Sequence, residues 1–209
     1  MQLALGDPNF LATPLLPNHL DPIPAGKRRI SHQTSTRSIP PSPIDHRPLP
    51  PEEFRQIFWT LMDLFGGSRM CQVEEGLFLG SFSDACVKDN LKSLNITHVL
   101  TVANLKPPYP GDFVYKVIDV MDVSDARIML HFEECIDFIN NAKAAGGNIL
   151  VHCFMGISRS VTVVVAYLMK QRGMRLPQAL EHVKRRRPQA APNNGFILQL
   201  EDFERSLYR

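Results

Sequence analysis

Cys153 follows His152 at the end of the apolar run Asn-Ile-Leu-Val, and the chain continues Phe154, Met155, Gly156, Ile157, Ser158, Arg159, Ser160. These residue types can attack and hold an anion. A tight loop between a strand and a helix turns successive backbone N–H groups inward, making an anion nest at the helix N-terminus. Gly156 gives the chain the freedom that such a turn needs. The same donors and the helix dipole favour a thiolate on Cys153, which is the nucleophilic form. Arg159 adds a planar fork that matches two oxygens of a phosphoryl group, which lysine cannot do equally well. Cys-x5-Arg alone is a weak pattern. The specific signal is the whole context: apolar strand, His-Cys, glycine three residues on, arginine six on, serine next, then a helix.

A leaving oxygen needs a proton, most often from a carboxylic acid. Asp119, Asp122 and Asp125 in "VIDVMDVSDARI" are the candidates. Their spacing of three resembles a ligand set, but no glutamate-terminated calcium loop follows, so no metal is expected there. Nor do the four cysteines form a zinc pattern, since the chain has no Cys-x-x-Cys and no His-x-x-x-His.

The elements that must position these residues are legible as alternating patterns. "GLFLGS", "ITHVLTVA", "VYKVIDV" and "NILVHC" read as strands. "SDACVKDNLKSLN" and "LHFEECIDFINNAKAAGG" lie between them as helices, the second ending at Gly146-Gly147. Three helical stretches follow the cysteine: about 159–172, "LPQALEHVKRRR" and "NGFILQLEDFERSLYR". The pattern predicts an α/β fold, a central mixed sheet flanked by helices. "VTVVVAY" conflicts locally, because its β-branched residues favour a strand. It is read as a helix, since a buried helix is held by packing more than by propensity and the anion nest needs a helix N-terminus there.

The bulk properties bound the rest. At 209 residues and 44% hydrophobic composition, the chain has material for one globular domain with a sizeable core. A net charge of +2 gives no electrostatic footprint for nucleic acid. No apolar run reaches the roughly 20 residues of a membrane span, and "MQLALGDPNF" lacks the features of a secretory signal. Free thiols then imply a reducing compartment, cytoplasmic or nuclear.

Residues 1–51 hold 11 of the 17 prolines and few bulky side chains, so a disordered proline-rich tail is expected there. Residues 52–67 read as an amphipathic helix, with Phe54, Ile57, Phe58, Leu61, Leu64 and Phe65 on one stripe and Gly66-Gly67 ending it. That stripe suits packing on the domain. It also has the form of a calmodulin target, although its acidic residues count against this. Residues 70–209 are read as the catalytic domain.

"VHCFMGISRSVTVVVAYLMK" resembles the signature loop of the cysteine-dependent dual-specificity protein phosphatases. The likeness runs from about "CQVEEGLFLGS" to the C-terminus, and "KPPYPGDFVYKVIDVMD" and "FINNAKAAGGNILVHCFMG" are similar to small plant members. The resemblance implies a protein tyrosine phosphatase-like fold and no cofactor. Residue by residue, it implies Cys153 as nucleophile forming a phosphocysteine and Arg159 as the phosphate-binding arginine. Ser160 would bond the cysteine sulfur and help it leave, and His152 would buttress the loop. Phe154, Met155, Gly156, Ile157 and Ser158 would complete the phosphate-binding loop. The family's acid follows the strand before the long helix, about thirty residues before the cysteine. Asp122, 31 residues before Cys153, fits; Asp119 would lie within the strand, and Asp125 is the fallback. Asn193 in "APNNGF" would bond the loop from behind, or serve as an ordinary helix cap.

The loop's variable positions carry no added positive charge, unlike members that act on inositol lipids. A phosphorylated protein side chain is therefore expected, with MAP kinases the substrate class that the resemblance implies. Basic residues 184–187 would meet an acidic docking groove, and Ser42 in "PPSP" is a minimal proline-directed phosphorylation site. Two alternatives stay open: a catalytically inactive phosphopeptide-binding module, and a phosphatase acting on a phosphoinositide or glucan.

Overall fold

Alternation along the strands divides the core between the two faces of one sheet. Leu77 and Leu79, Ile149 and Val151, and Leu100 and Val102 pack in one apolar cluster, while Phe78, Leu150 and Val99 pack in the other. This is the period-two pattern of a sheet covered on both sides. The structure, a computed structural model, describes residues 70–208. The expectations for the proline-rich tail, Ser42, the 52–67 helix and its calmodulin-like stripe lie outside the described residues.

Five strands form the sheet: β1 (Cys71–Glu74), β2 (Leu77–Gly80), β3 (Ile96–Val102), β4 (Val114–Ile118) and β5 (Asn148–His152). Their order is β1-β2-β5-β3-β4. β1 pairs antiparallel with β2, and all other pairs are parallel, so the sheet is mixed as expected. β1 was not anticipated, because "CQVE" carries almost no strand pattern; it is made by a tight turn at Gly76, whose φ is +75°. The His182 Nε2–H donates to Val73 O on this edge strand at 3.0 Å, covering part of it.

The helices are α1 (Phe82–Ala85), α2 (Lys88–Ser93), α3 (Phe132–Ala144), α4 (Arg159–Arg172), α5 (Leu176–Arg186) and α6 (Asn194–Leu207). The single helix expected over "SDACVKDNLKSLN" is two short ones. Ser81 and Asp84 form a reciprocal capping box at α1, and the chain turns at Cys86 before α2 begins. The "VTVVVAY" segment is helical. Residues 160–169 of α4 are all buried, so packing on every side overrides their β-propensity.

β5 runs through the middle of the sheet and α4 starts seven residues after it ends. The connecting loop therefore sits at the C-terminal end of the parallel strands, where open α/β sheets present their sites.

Candidate active site

The loop between β5 and α4 has its carbonyl groups accounted for on its outer side. His152 Nδ1–H donates to Cys153 O (3.1 Å), Phe82 N–H to Phe154 O (3.0 Å), and Ala191 N–H to Ile157 O (2.8 Å). Arg187 donates through Nη2 to Met155 O (3.2 Å) and through Nε to Gly156 O (2.5 Å), while Thr162 N–H and its hydroxyl both reach Ser158 O at 2.9 Å. A trans peptide points its C=O and N–H in opposite directions. Fixing consecutive carbonyls outward turns the N–H groups inward, which makes the nest.

The Cys153 sulfur lies in this nest. Gly156 N–H is 3.2 Å and Ser160 Oγ 3.3 Å from Sγ, both as donors. Gly156 has φ +67°, and a Cβ there would overlap the Gly80 carbonyl and meet Arg187 Nη2 at 2.5 Å. Only glycine fits this turn. Phe154, Met155 and Ile157 are half-buried and give the opening an apolar rim. Gly156, Ser158 and Ser160 are buried.

His152 is fully buried, and its ring hydrogen bonds fix its tautomer. A carbonyl only accepts, so Nδ1 carries the proton toward Cys153 O and Nε2 accepts from the Thr101 hydroxyl (2.9 Å). Loss of solvation on burial pushes its pKa down to about 4, against weaker opposition from the Cys153 carbonyl. A neutral imidazole braced between two strands is thus part of the loop's frame.

Ser158 precedes α4 at the N-cap position but does not cap it. Its hydroxyl instead donates to Asp122 Oδ1 at 2.6 Å and accepts from Asn193 N–H at 3.2 Å. The first N–H groups of α4 are left for an anion. Asn193 Nδ2 also donates to Asp122 Oδ1 (2.9 Å), while its Oδ1 caps α6 by accepting from Phe196 N–H (3.0 Å). So Asn193 is both a helix cap and a tie to Asp122, rather than a brace from behind the loop alone.

Arg159 Nη1 donates to Val120 O at 3.2 Å, which anchors the fork. Its Nε is 3.4 Å from Asp122 Oδ2, in ion-pair range, but it is buried without an aligned hydrogen bond. A buried guanidinium donor without an aligned hydrogen bond is open to an incoming anion. Asp119 lies one residue past β4 rather than within it, and it accepts from Asn104 Nδ2 (2.9 Å). Asp125 is exposed. Of the three aspartates, Asp122 is the one in contact with the loop and Arg159. Among the described residues no group of three His, Cys, Asp or Glu could hold a metal ion.

Two residues that shape the site were not singled out from the sequence. Arg187, grouped with the basic docking cluster 184–187, is 1% exposed and belongs to the loop's frame; Lys184, Arg185 and Arg186 are the exposed ones. The signal was present, because Leu176, Ala179 and Val183 are the buried stripe of α5 and Arg187 is the next position on it. Gly195 is the second. Its φ is ordinary, but a Cβ there would overlap the Ser124 carbonyl, so the Asp122 segment rests directly on the first turn of α6. A glycine inside a helix start, in "NNGF", was the available clue.

Residues 77–206 match the family described as "Dual specificity phosphatase, catalytic domain". The chain is 59% identical over 136 residues to dual specificity protein phosphatase 1 of Arabidopsis thaliana, covering 65% of this chain and 69% of that one. It is 41% identical over 133 residues to MAP kinase phosphatase with leucine-rich repeats protein 2 of Dictyostelium discoideum, covering 64% of this chain but 19% of that one. The crystal structure of DUSP15 superposes with a TM-score of 0.64 at 44% identity, covering 66% of this chain and 88% of that one.

Proposed function

The chain belongs to the dual-specificity phosphatase family and is a protein tyrosine/serine/threonine phosphatase; from that premise we propose that it works through a phosphocysteine on Cys153. The observation that carries this reading is the pair of donors on one sulfur, Gly156 N–H and the Ser160 hydroxyl, in the loop that leads directly into Arg159. The inward N–H groups and Arg159 hold the phosphoryl oxygens while Cys153 Sγ attacks phosphorus in line and the ester P–O bond breaks. Asp122 gives its proton to the leaving oxygen, then takes one from the water that hydrolyses the S–P bond. Ser160 bonds the departing thiolate. No metal or organic cofactor enters either step. With Cys153, Arg159 and Asp122 all in place, an enzyme is favoured over an inactive binding module.

The substrate we propose is a phosphorylated protein side chain on a MAP kinase. Three features support it: the apolar rim without extra cations, the exposed Lys184, Arg185 and Arg186 on α5, and the likeness to a protein named a MAP kinase phosphatase. A cytoplasmic or nuclear location suits four cysteines that form no disulfide, Cys71, Cys86, Cys135 and Cys153. Among the described residues, no helix is long and apolar enough to cross a membrane.

The test is hydrolysis of p-nitrophenyl phosphate under reducing conditions, followed by a doubly phosphorylated MAP kinase, a phosphoinositide and a phosphoglucan. Wild type should clear both the phosphotyrosine and the phosphothreonine of the kinase, and an Asp122→Ala chain should retain the phosphorylated kinase. Faster turnover of lipid or glucan than of the kinase would overturn the substrate assignment.

A further inference from the structure

Arg187 carries a fixed positive charge on the far side of the phosphate-binding loop, at 1% exposure. Burying a guanidinium is costly unless it is well paired, and carbonyl groups of the loop supply part of that pairing. Its Nη2 and Nε donors reach the carbonyls of consecutive peptides of the loop. The peptide whose carbonyl is Met155 O, held by Nη2 at 3.2 Å, has as its other end the Gly156 N–H that points at Cys153 Sγ from 3.2 Å. The peptide whose carbonyl is Gly156 O, held by Nε at 2.5 Å, has Ile157 N–H at its other end, turned toward the nest.

We propose that Arg187 is a positioning residue for phosphate binding, acting on the anion through these two peptides. A cation on a carbonyl oxygen polarises the amide, so the N–H on the opposite side becomes a stronger donor. The planar fork also fixes the rotation of both peptide planes at once, which a point charge cannot do. Gly156 is required by the same arrangement, since a Cβ would meet Arg187 Nη2 at 2.5 Å. Arg159 holds the phosphoryl group from the front, while Arg187 aims the donors from behind without touching it. The proposal rests on reading this loop as a phosphate site.

The test uses the full chain, wild type and the variants Arg187→Lys and Arg187→Gln. It measures thermal melting, inorganic phosphate binding by calorimetry, and turnover of a series of aryl phosphates. Arg187→Gln should bind inorganic phosphate about 10-fold more weakly, with a comparable or larger loss in kcat/KM, as expected for weakened oxyanion donors. Arg187→Lys should fall between the two. The dependence of rate on leaving group should not change, because proton transfer from Asp122 is not the step affected. Wild-type phosphate affinity in folded variants would overturn the proposal. So would failure of both variants to fold, which would assign Arg187 to stability alone. A wild-type chain that neither binds phosphate nor turns over aryl phosphates would instead defeat the phosphatase reading, and this proposal with it.

Discussion

The Ser158 hydroxyl stands 2.6 Å from Asp122 Oδ1, joining a residue of the β5–α4 loop to the carboxyl group proposed as the acid, 36 positions earlier. Ser158 forgoes capping α4 to make this bond, and Asn193 supplies a second donor to the same oxygen. The two bonds thereby fix the position of this carboxyl group at the loop before any substrate arrives.

If Ser158 and Asn193 serve that purpose, removing them should matter most when the leaving group needs the proton. Ser158→Ala and Asn193→Ala are each expected to lower kcat on a phosphoserine peptide by about 10-fold, with a smaller effect on p-nitrophenyl phosphate. Asp122→Asn should lose about 10²–10⁴-fold on the peptide. Steady-state kinetics across leaving groups checks this, and an equal loss on every substrate would remove the positioning role.

Gly195→Ala should act on the same segment by displacement. A methyl group there overlaps the Ser124 carbonyl, so either α6 or the Asp122 segment must move. Overpacking of this kind costs about 1–3 kcal/mol. The expected result is a lower melting temperature together with a kcat loss that again grows as the leaving group worsens. Unchanged kinetics would mean that α6 yields instead of the acid.

Arg159→Lys keeps a positive charge but not the fork, and Nη1 of Arg159 is already committed to Val120 O. Lysine cannot satisfy both that carbonyl and a phosphoryl oxygen in the same geometry. A loss of about 10²–10³ in kcat is expected. Cys153→Ser should abolish turnover while still binding phosphopeptide. Turnover retained by Cys153→Ser would exclude the covalent route.

Stability should depend on pH through His152. The unfolded imidazole titrates near 6.5, whereas burial lowers the folded value to about 4. Between those values the unfolded chain binds the extra proton, so stability is full above about pH 6.5 and declines as pH falls toward 4. The size of the effect is on the order of 3 kcal/mol over the window. Melting curves of wild type and His152→Gln between pH 7 and 4 should diverge in slope, the variant being flatter. Parallel slopes would place the dependence elsewhere.

What the sequence determined by itself was the local part. The β5–loop–α4 order, the glycine-containing turn and the cysteine and arginine six apart follow from periodicity and spacing within a few residues, and the strand-helix alternation carried the mixed sheet. Tertiary structure alone decided the rest, because the contacts involved join residues far apart in the chain. Spacing alone leaves Asp119, Asp122 and Asp125 alike and only the family resemblance points to Asp122, whereas the fold draws Asp122, and not the other two, to Ser158, Asn193 and Arg159. Among the basic residues at the end of α5, Lys184, Arg185 and Arg186 remain in solvent while Arg187, just past the helix, turns inward beneath the loop. Local chemistry is written in spacing along the chain. The choice among chemically identical side chains depends on which one folding places against the same few atoms.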